Sequence, residues 1–228
     1  MCDIIFEDNH LLVVIKPQNI PVQEDESKDD DMLRKLKRYL VEKYNKPGDA
    51  YVGLVHRLDR PTGGVMVFAK TSKAAGRLCE QIKTDEFEKT YLAVVSGKPR
   101  LDRARLVNFL KKDERNNVVK ICPEFENGTK KAELDYQVLA SNDKYSLVKV
   151  NLITGRSHQI RVQMAGINCP IVGDVKYGKE EKAKTNMALW ATSLKLNHPV
   201  TKQRLTFKVF PPKDEKPWTD FDIEKYLN

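Results

Sequence analysis

Residues 54–70 read L-V-H-R-L-D-R-P-T-G-G-V-M-V-F-A-K, and this stretch decides how the rest of the chain is interpreted. Apolar residues lead into it and the run Val65–Ala69 ends it, which is the pattern of two buried β-strands joined by a polar turn. Pro61 fixes its own φ, and the glycine pair that follows permits positive φ or a close backbone approach. The pattern therefore predicts a stiff turn that presents the carboxylate of Asp59.

Three more polar side chains, His56, Arg57 and Arg60, lie in the same turn as Asp59. A loop held by a rigid scaffold is a common place for binding and catalysis. A charged turn of this composition is also compatible with a solvated loop that has no chemistry. The turn by itself therefore leaves both interpretations open.

The net charge of +8 is unevenly distributed over the 228 residues. Residues 24–31 read E-D-E-S-K-D-D-D, with six acids and one lysine and a local charge of −5, so the other 220 residues carry +13. A cationic surplus of this size favours polyanionic partners through counterion release, and RNA is the natural candidate. Many soluble proteins are as basic, so charge alone does not decide the function.

Composition also argues against several classes of protein. No apolar run is long enough for a membrane span, and the N-terminal residues lack the pattern of a secretory signal, so we expect a cytoplasmic protein. The four cysteines are scattered without C-x-x-C spacing, which predicts neither a zinc site nor a disulfide framework. They are Cys2, Cys79, Cys122 and Cys169.

The periodicity upstream of the turn predicts a hairpin and a helix. Residues 2–7 and 11–16 have the pattern of two strands that turn at 8–9. After the acidic run, leucines at helical spacing and Tyr44 predict an amphipathic helix whose start carries Asp29–Asp31, where the helix dipole favours anions.

Downstream of the turn we expect a second helix, further strands and a third helix. Thr71 or Ser72 can cap a helix to about Lys83, with Ala75, Leu78 and Ile82 inward. Strand patterns follow around Tyr91, at 105–121 with a turn near 116–117, and at 130–152 with a turn at 141–143. Ser157 can cap a helix that places His158 and Arg161 one turn apart.

The block at 56–70 resembles the signature of the RluA-type pseudouridine synthases, enzymes that isomerise uridine in RNA. Gly63 stands where that family usually has serine. Four more blocks resemble the family's other motifs: K-P-Q-N-I-P-V (16–22), K-T-Y-L-A-V-V-S-G (89–97), T-G-R-S-H-Q-I-R (154–161) and C-P-I-V-G-D-V-K-Y-G (169–178). In the first of these, Asn19 stands at the family's glycine position, and asparagine suits left-handed backbone. The runs A-L-W-A-T-S-L-K-L-N-H-P (188–199) and L-T-F-K-V-F-P-P (205–212) resemble the family's closing pair of strands, so the resemblance runs from about Lys16 to Pro211.

The resemblance implies a catalytic set and a substrate-binding set. Asp59 would be the nucleophile, Tyr91 would stack on the target base with its hydroxyl near the reacting carbon, and Arg161 would pair with Asp59. Arg156 is the alternative partner. Arg57 would fill the space that the flipped uridine leaves in the RNA. The implied substrate-binding residues are His56, Arg57, Arg60, Thr154, Arg156 and His158.

The resemblance also implies a fold, a reaction and partners. The fold would be α+β, with a mixed, mainly antiparallel central sheet flanked by helices and a central cleft. Residues 1–228 would form a single catalytic domain, with a motif core at about 16–211 and no N-terminal S4-like RNA-binding domain. The chain would isomerise a uridine of ribosomal or transfer RNA as a monomer, with no cofactor, no metal and no obligate protein partner. Direct attack on C1′ and proton abstraction from the sugar both stay open.

Two other functions compete with this interpretation. An RNA-binding protein that remodels RNA without chemistry would tolerate Asp59→Ala, whereas an enzyme would lose turnover and keep binding. A glycoside hydrolase needs two carboxylates about 5–10 Å apart around a sugar. Because only Asp59 lies in a motif-like setting, the hydrolase ranks last.

Overall fold

A computed structural model describes residues 3–84, 86–178 and 185–227. They divide into two compact units. Unit 1 contains the described residues up to Glu88 together with Ala191–Val209, and unit 2 contains Lys89–Trp190 and the described residues from Phe210 onward. The elements in chain order are β1 (Asp3–Glu7), β2 (Leu11–Lys16), α1 (Met32–Lys43), β3 (Gly53–Leu54), β4 (Gly63–Ala69), α2 (Ser72–Lys83), β5 (Glu88–Ser96), β6 (Arg103–Asp113), β7 (Val118–Cys122), β8 (Lys130–Ser141), β9 (Tyr145–Leu152), α3 (Gln159–Gly166), β10 (Leu189–Asn197), β11 (Arg204–Lys208), a 3-10 helix (Trp218–Asp220) and α4 (Glu224–Leu227).

Two strands form the centre of unit 1. β2 lies between β1 and β4, and it is antiparallel to both. The L-L-V-V run of β2 and all seven residues of β4 are buried. Strands that are covered on both faces have continuous apolar sequences rather than alternating ones. The strand that follows the Asp59 turn therefore belongs to the core of its unit, which holds the turn stiffly.

The two long helices of unit 1 both begin at side-chain caps, of which the sequence predicted Thr71. Asp31 accepts the backbone N–H of Arg34 at the start of α1, and Thr71 accepts that of Ala74 at the start of α2. Such caps satisfy backbone donors that the helix itself cannot satisfy. The buried face of α2 is Ala74, Leu78 and Gln81, so only Leu78 of the three expected residues is buried, and the other two positions are each shifted by one residue.

The side chain of Tyr44 is 48% exposed, so it is not part of the α1 core stripe. Its hydroxyl instead donates a 2.6 Å hydrogen bond to the Glu7 carboxylate. The same carboxylate accepts hydrogen bonds from Tyr39, Lys43 and Lys70. This cluster joins α1 to the end of β1.

Unit 2 is built on antiparallel strands in the order β5-β9-β8-β6-β7, in which β8 with β9 and β6 with β7 form hairpins. Its hairpins turn where the sequence predicts, and Asn117 has positive φ in the first of them. The expected helix start is wrong: α3 begins at Gln159, not after a Ser157 cap. The cap residue is His158, whose φ of 50° lies in the left-handed region.

Antiparallel strands with few helices confirm the α+β prediction. Within the described ranges, no helix is both long and apolar enough to span a membrane. Three cysteines, Cys79, Cys122 and Cys169, are free thiols, and Cys2 lies outside the described residues. That the two units form one catalytic domain stays a prediction.

Candidate active site

The turn that carries Asp59 is fixed by backbone hydrogen bonds in unit 1. The Asp59 carbonyl accepts the N–H of Thr62 at 2.9 Å. The Arg60 carbonyl accepts the N–H of Asn19 at 2.8 Å and the Lys16 ammonium at 3.0 Å. Asn19 has a φ of 63°, as the sequence predicts. Lys16 is fully buried, so its ammonium binds the turn from the protein interior.

Around Asp59, the polar side chains of the turn differ in their contacts. Asp59 is half-buried, while Arg57 is exposed and makes no hydrogen bond or ion pair within the described part of the chain. The Nε2 atom of His56 accepts the Val67 N–H at 3.1 Å, and its ring lies edge-on to Phe87. An imidazole nitrogen that accepts carries no proton, so His56 is the neutral Nδ1–H tautomer. The structure thus gives His56 an anchoring role in the turn.

Gly64 is a position where the fold requires glycine. Its φ is 123°, and a Cβ atom at this position would lie 2.3 Å from the carbonyl oxygen of Ala191 in β10. No side chain fits such an approach, and positive φ is costly for every other residue type. The glycine therefore lets β4 begin directly after the Asp59 turn.

Tyr91, in unit 2, lies on β5 opposite Val150 of β9. Its side chain is buried, with 6% of its surface exposed. Burial in the middle of a strand fixes the ring rigidly. The strand position agrees with the sequence prediction, and its contact with a base stays a prediction.

Arg161 of α3 is held by a partner that the sequence analysis missed. Its Nε and Nη2 atoms donate to the two oxygens of Asp174, each at 2.8 Å, and both side chains are buried. The guanidinium carbon lies 5.1 Å from the ring centre of Tyr177. Asp174 and Tyr177 both belong to the G-D-V-K-Y-G block, and the resemblance of this block to a family motif was the available signal. Two parallel hydrogen bonds fix the plane of the guanidinium and direct its remaining N–H groups to other acceptors.

His158 is tied to the same tyrosine. Its Nδ1 atom lies 2.7 Å from the Tyr177 hydroxyl, which also accepts the Val119 N–H at 2.8 Å. This hydrogen bond explains why His158 lies in a left-handed cap rather than in the first turn of α3.

Thr154 and Arg156 are engaged with β8. The Thr154 hydroxyl accepts the N–H of Glu133 at 2.8 Å and lies 2.8 Å from Oε1 of Gln159. The Nε atom of Arg156 donates to the Lys131 carbonyl at 2.9 Å. The structure therefore gives both residues an internal contact that shapes the approach to α3. Their contacts with substrate stay predictions.

The predicted site residues divide between the units. Unit 1 contains His56, Arg57, Asp59 and Arg60. Unit 2 contains Tyr91, Thr154, Arg156, His158 and Arg161. Among the described residues, no group of three or more His, Cys, Asp or Glu side chains is arranged to hold a metal ion.

Comparison with known proteins gives consistent matches. The family described as RNA pseudouridylate synthase matches residues 10–166. The uncharacterized RNA pseudouridine synthase YhcT of Bacillus subtilis is 34% identical and covers 94% of this chain and 70% of its own length. The ribosomal large subunit pseudouridine synthase C of Buchnera aphidicola is 33% identical, over 89% of this chain and 64% of its own length. The tRNA pseudouridine synthase C of Pectobacterium carotovorum is 32% identical, over 96% of this chain and 60% of its own length.

A solved structure has the same fold. Human RNA Pseudouridylate Synthase Domain Containing 4 superimposes with a TM-score of 0.78 at 24% identity, over 92% of this chain and 89% of that one. At this identity the likeness shows the fold alone.

Proposed function

This chain belongs to the RNA pseudouridylate synthase family, a family of isomerases, and from this premise we propose that it converts a uridine of structured ribosomal or transfer RNA to pseudouridine through Asp59. The observation that carries the proposal is the turn at residues 56–62. It holds one half-buried carboxylate between a buried strand and a buried lysine, inside the block that resembles the family signature.

The reaction is an isomerisation within one nucleotide. The C1′–N1 bond breaks, the uracil rotates, C5 bonds to C1′, and the proton on C5 leaves for N1 or solvent. No atom is gained or lost and no electron is transferred, so side chains suffice for the chemistry. A carboxylate can attack C1′ and leave again, or it can take a proton from the sugar. Asp59 is the group to which we assign this step, in either form.

Arg161 and Tyr91 complete the proposed catalytic set. A cation close to an aspartate favours its charged form, and Arg161 is the arginine whose plane is already fixed by a carboxylate partner. Arg156 donates instead to a backbone carbonyl of β8, which favours Arg161 as the partner of Asp59. A rigid, buried Tyr91 supports the role of a stacking surface for the uracil.

We propose that the side chain of Arg57 fills the space that the flipped uridine leaves in the RNA. A uridine in folded RNA must leave its stack to reach Asp59, at a cost of a few kcal/mol. The exposed guanidinium of Arg57 makes no hydrogen bond or ion pair with the rest of the described chain. A planar cation of this kind can stack on bases and bind phosphate at the same time.

The experiment that tests the function compares Asp59→Asn with the wild type. Purified protein is incubated with total ribosomal and transfer RNA from a strain that lacks the gene, and pseudouridine is mapped by carbodiimide treatment and primer extension. The wild type should restore one or a few modified sites. Asp59→Asn should bind the same RNA with a rate reduced on the order of 10³-fold or more.

Two results would count against the proposal. The first is that no site is modified by the wild type, which would return the chain to the class of RNA-binding proteins without chemistry. The second is that Asp59→Asn turns over as fast as the wild type, which would remove Asp59 from the reaction. The cytoplasmic location and the monomeric state are part of the same proposal, and light scattering of the purified protein checks the latter.

A further inference from the structure

Four basic side chains of unit 1 are covered by an acidic segment of the same chain. We call residues 24–30 the acidic loop. Arg60 donates to Ser27 at 2.9 Å and to Asp25 at 3.4 Å, and it also pairs with Asp29. The other three cations lie on α1: Arg34 pairs with Glu24 at 2.8 Å, and Lys35 and Arg38 both pair with Asp30. We call Arg34, Lys35, Arg38 and Arg60 the basic surface.

The ends of the acidic loop are held independently of these ion pairs. The N–H of Met32 donates to the Pro21 carbonyl at 2.9 Å, and that of Leu33 donates to the Val22 carbonyl at 3.2 Å. Asp31 is buried and caps α1. The loop can therefore lift away while the helix, its cap and both anchor points stay in place.

The contacts across the loop are weak because they are exposed. The side chains of Arg60, Asp25 and Asp29 are 41%, 40% and 52% exposed. Exposed ion pairs contribute little to stability, since water and salt compete with them. An RNA backbone that replaces the carboxylates releases its own condensed counterions, which favours the exchange at low and moderate salt.

We propose that the basic surface binds the phosphate backbone of RNA, and that the acidic loop occupies this surface in place of phosphates until RNA displaces it. Arg60 directly follows Asp59 in the chain, so the phosphates that reach it are those near the uridine at Asp59. RNA with few phosphates to offer cannot outcompete the loop. The loop therefore lowers the affinity for short or nonspecific RNA. This inference rests on the proposed function.

The test measures the binding of a short fluorescent hairpin RNA with a uridine-rich loop, by anisotropy at about 50 mM salt, where charge effects are large. Asp29→Asn removes a carboxylate that touches Arg60. Glu26→Gln is the matched control, because it removes one charge from the same loop at a side chain with no hydrogen bond or ion pair within the described residues. Both changes are made with Arg60 intact and in an Arg60→Gln background.

Asp29→Asn should tighten binding about two- to fivefold over Glu26→Gln, as expected for the removal of one exposed competing ion pair. The gain should disappear in the Arg60→Gln background and shrink with rising salt. Asp30→Asn, which acts on Lys35 and Arg38, should tighten binding independently of Arg60. Equal effects of Asp29→Asn and Glu26→Gln, or a gain that persists without Arg60, would overturn the proposal, as would weaker binding of Asp29→Asn.

Thermal unfolding of each variant verifies that it is folded, and Asp25→Asn replaces Asp29→Asn if the latter is not. The readout is binding and not turnover. If the protein modifies no RNA but shows the predicted differences in RNA affinity among these variants, the proposed function is refuted and the binding role of the basic surface is supported. If the protein forms pseudouridine but the variants do not show these differences in RNA affinity, only the proposed role of the acidic loop is refuted.

Discussion

Arg161 and Asp174 form a planar, two-hydrogen-bond pair at 2.8 Å and 2.8 Å, with 6% and 0% of their side-chain surfaces exposed. Arg105 and Asp135 form a pair with the same two distances at the surface, with 57% and 41% exposed. The two pairs have the same hydrogen bonds between arginine and aspartate and differ in burial, and Asp174 also accepts the backbone N–H groups of Lys176 and Tyr177. Their comparison therefore shows how much more the buried pair and its surroundings contribute than the exposed pair.

Asp174→Asn should lower the free energy of unfolding by about 3–5 kcal/mol, because it replaces the buried carboxylate that accepts two charge-assisted hydrogen bonds from Arg161. Asp135→Asn should lower it by about 1 kcal/mol or less, since water solvates Arg105 when the partner is removed. Urea denaturation at neutral pH measures both. Equal losses in the two variants would show that burial does not set the strength of the inner pair.

Gly64→Ala should destabilise the fold by at least about 3 kcal/mol, through strain at positive φ and a clash with the Ala191 backbone. Gly76→Ala is the control, because Gly76 lies within α2 and a Cβ there would meet nothing within 4 Å. The control should raise the free energy of unfolding by about 0.5–1 kcal/mol, since alanine favours helix. Urea midpoints compare the two, and a tolerated alanine at position 64 would contradict the geometry of the turn.

The Glu7 carboxylate should make the free energy of unfolding depend on pH in the acidic range. Burial alone would raise the pKa of its carboxyl, but hydrogen bonds from Lys43, Lys70 and two tyrosines outweigh burial and lower that pKa from 4.5 to about 2. The folded protein thus binds this proton less readily than the unfolded chain. The stabilisation is present above about pH 4.5 and is lost as the pH falls through about 2.

The comparison of wild type with Glu7→Gln measures this contribution. The difference in the free energy of unfolding should be up to about 3 kcal/mol at pH 6–7, since each pKa unit corresponds to about 1.4 kcal/mol. It should decrease below about pH 4.5. A difference that stays constant from pH 7 to pH 3 would show that the carboxylate charge does not stabilise the fold.

Tyr91→Phe tests whether the phenol takes part in the proposed reaction. The substitution keeps the ring and its burial in β5, so RNA binding and folding should be unchanged. Turnover should fall by about 10²–10⁴-fold if the hydroxyl moves a proton in the reaction. Single-turnover assays measure the rate, and a wild-type rate would limit Tyr91 to stacking.

Local features of the fold were predictable because they depend on neighbouring residues. The Thr71 cap and the turn at Asn117 follow from the side-chain chemistry of a few positions. The buried run of β4 follows from its continuous apolar sequence. The family motifs added the identities of the candidate site residues.

The start of α3 shows where local patterns fail. Ser157 is a good cap by type, yet the helix begins two residues later because His158 bonds to Tyr177, which lies 19 residues away. The partner of Arg161 was missed for the same reason. Periodicity reports which face of an element is buried, and it does not report which polar groups meet there.

By itself, the sequence determined that a single carboxylate, Asp59, lies in a stiff turn before a buried strand. Only the tertiary structure decided that Asp174 orients Arg161 and that the acidic loop lies on Arg60. The physical reason is that caps and turns are satisfied within a few residues, whereas ion pairs form between segments that only the folded backbone brings together.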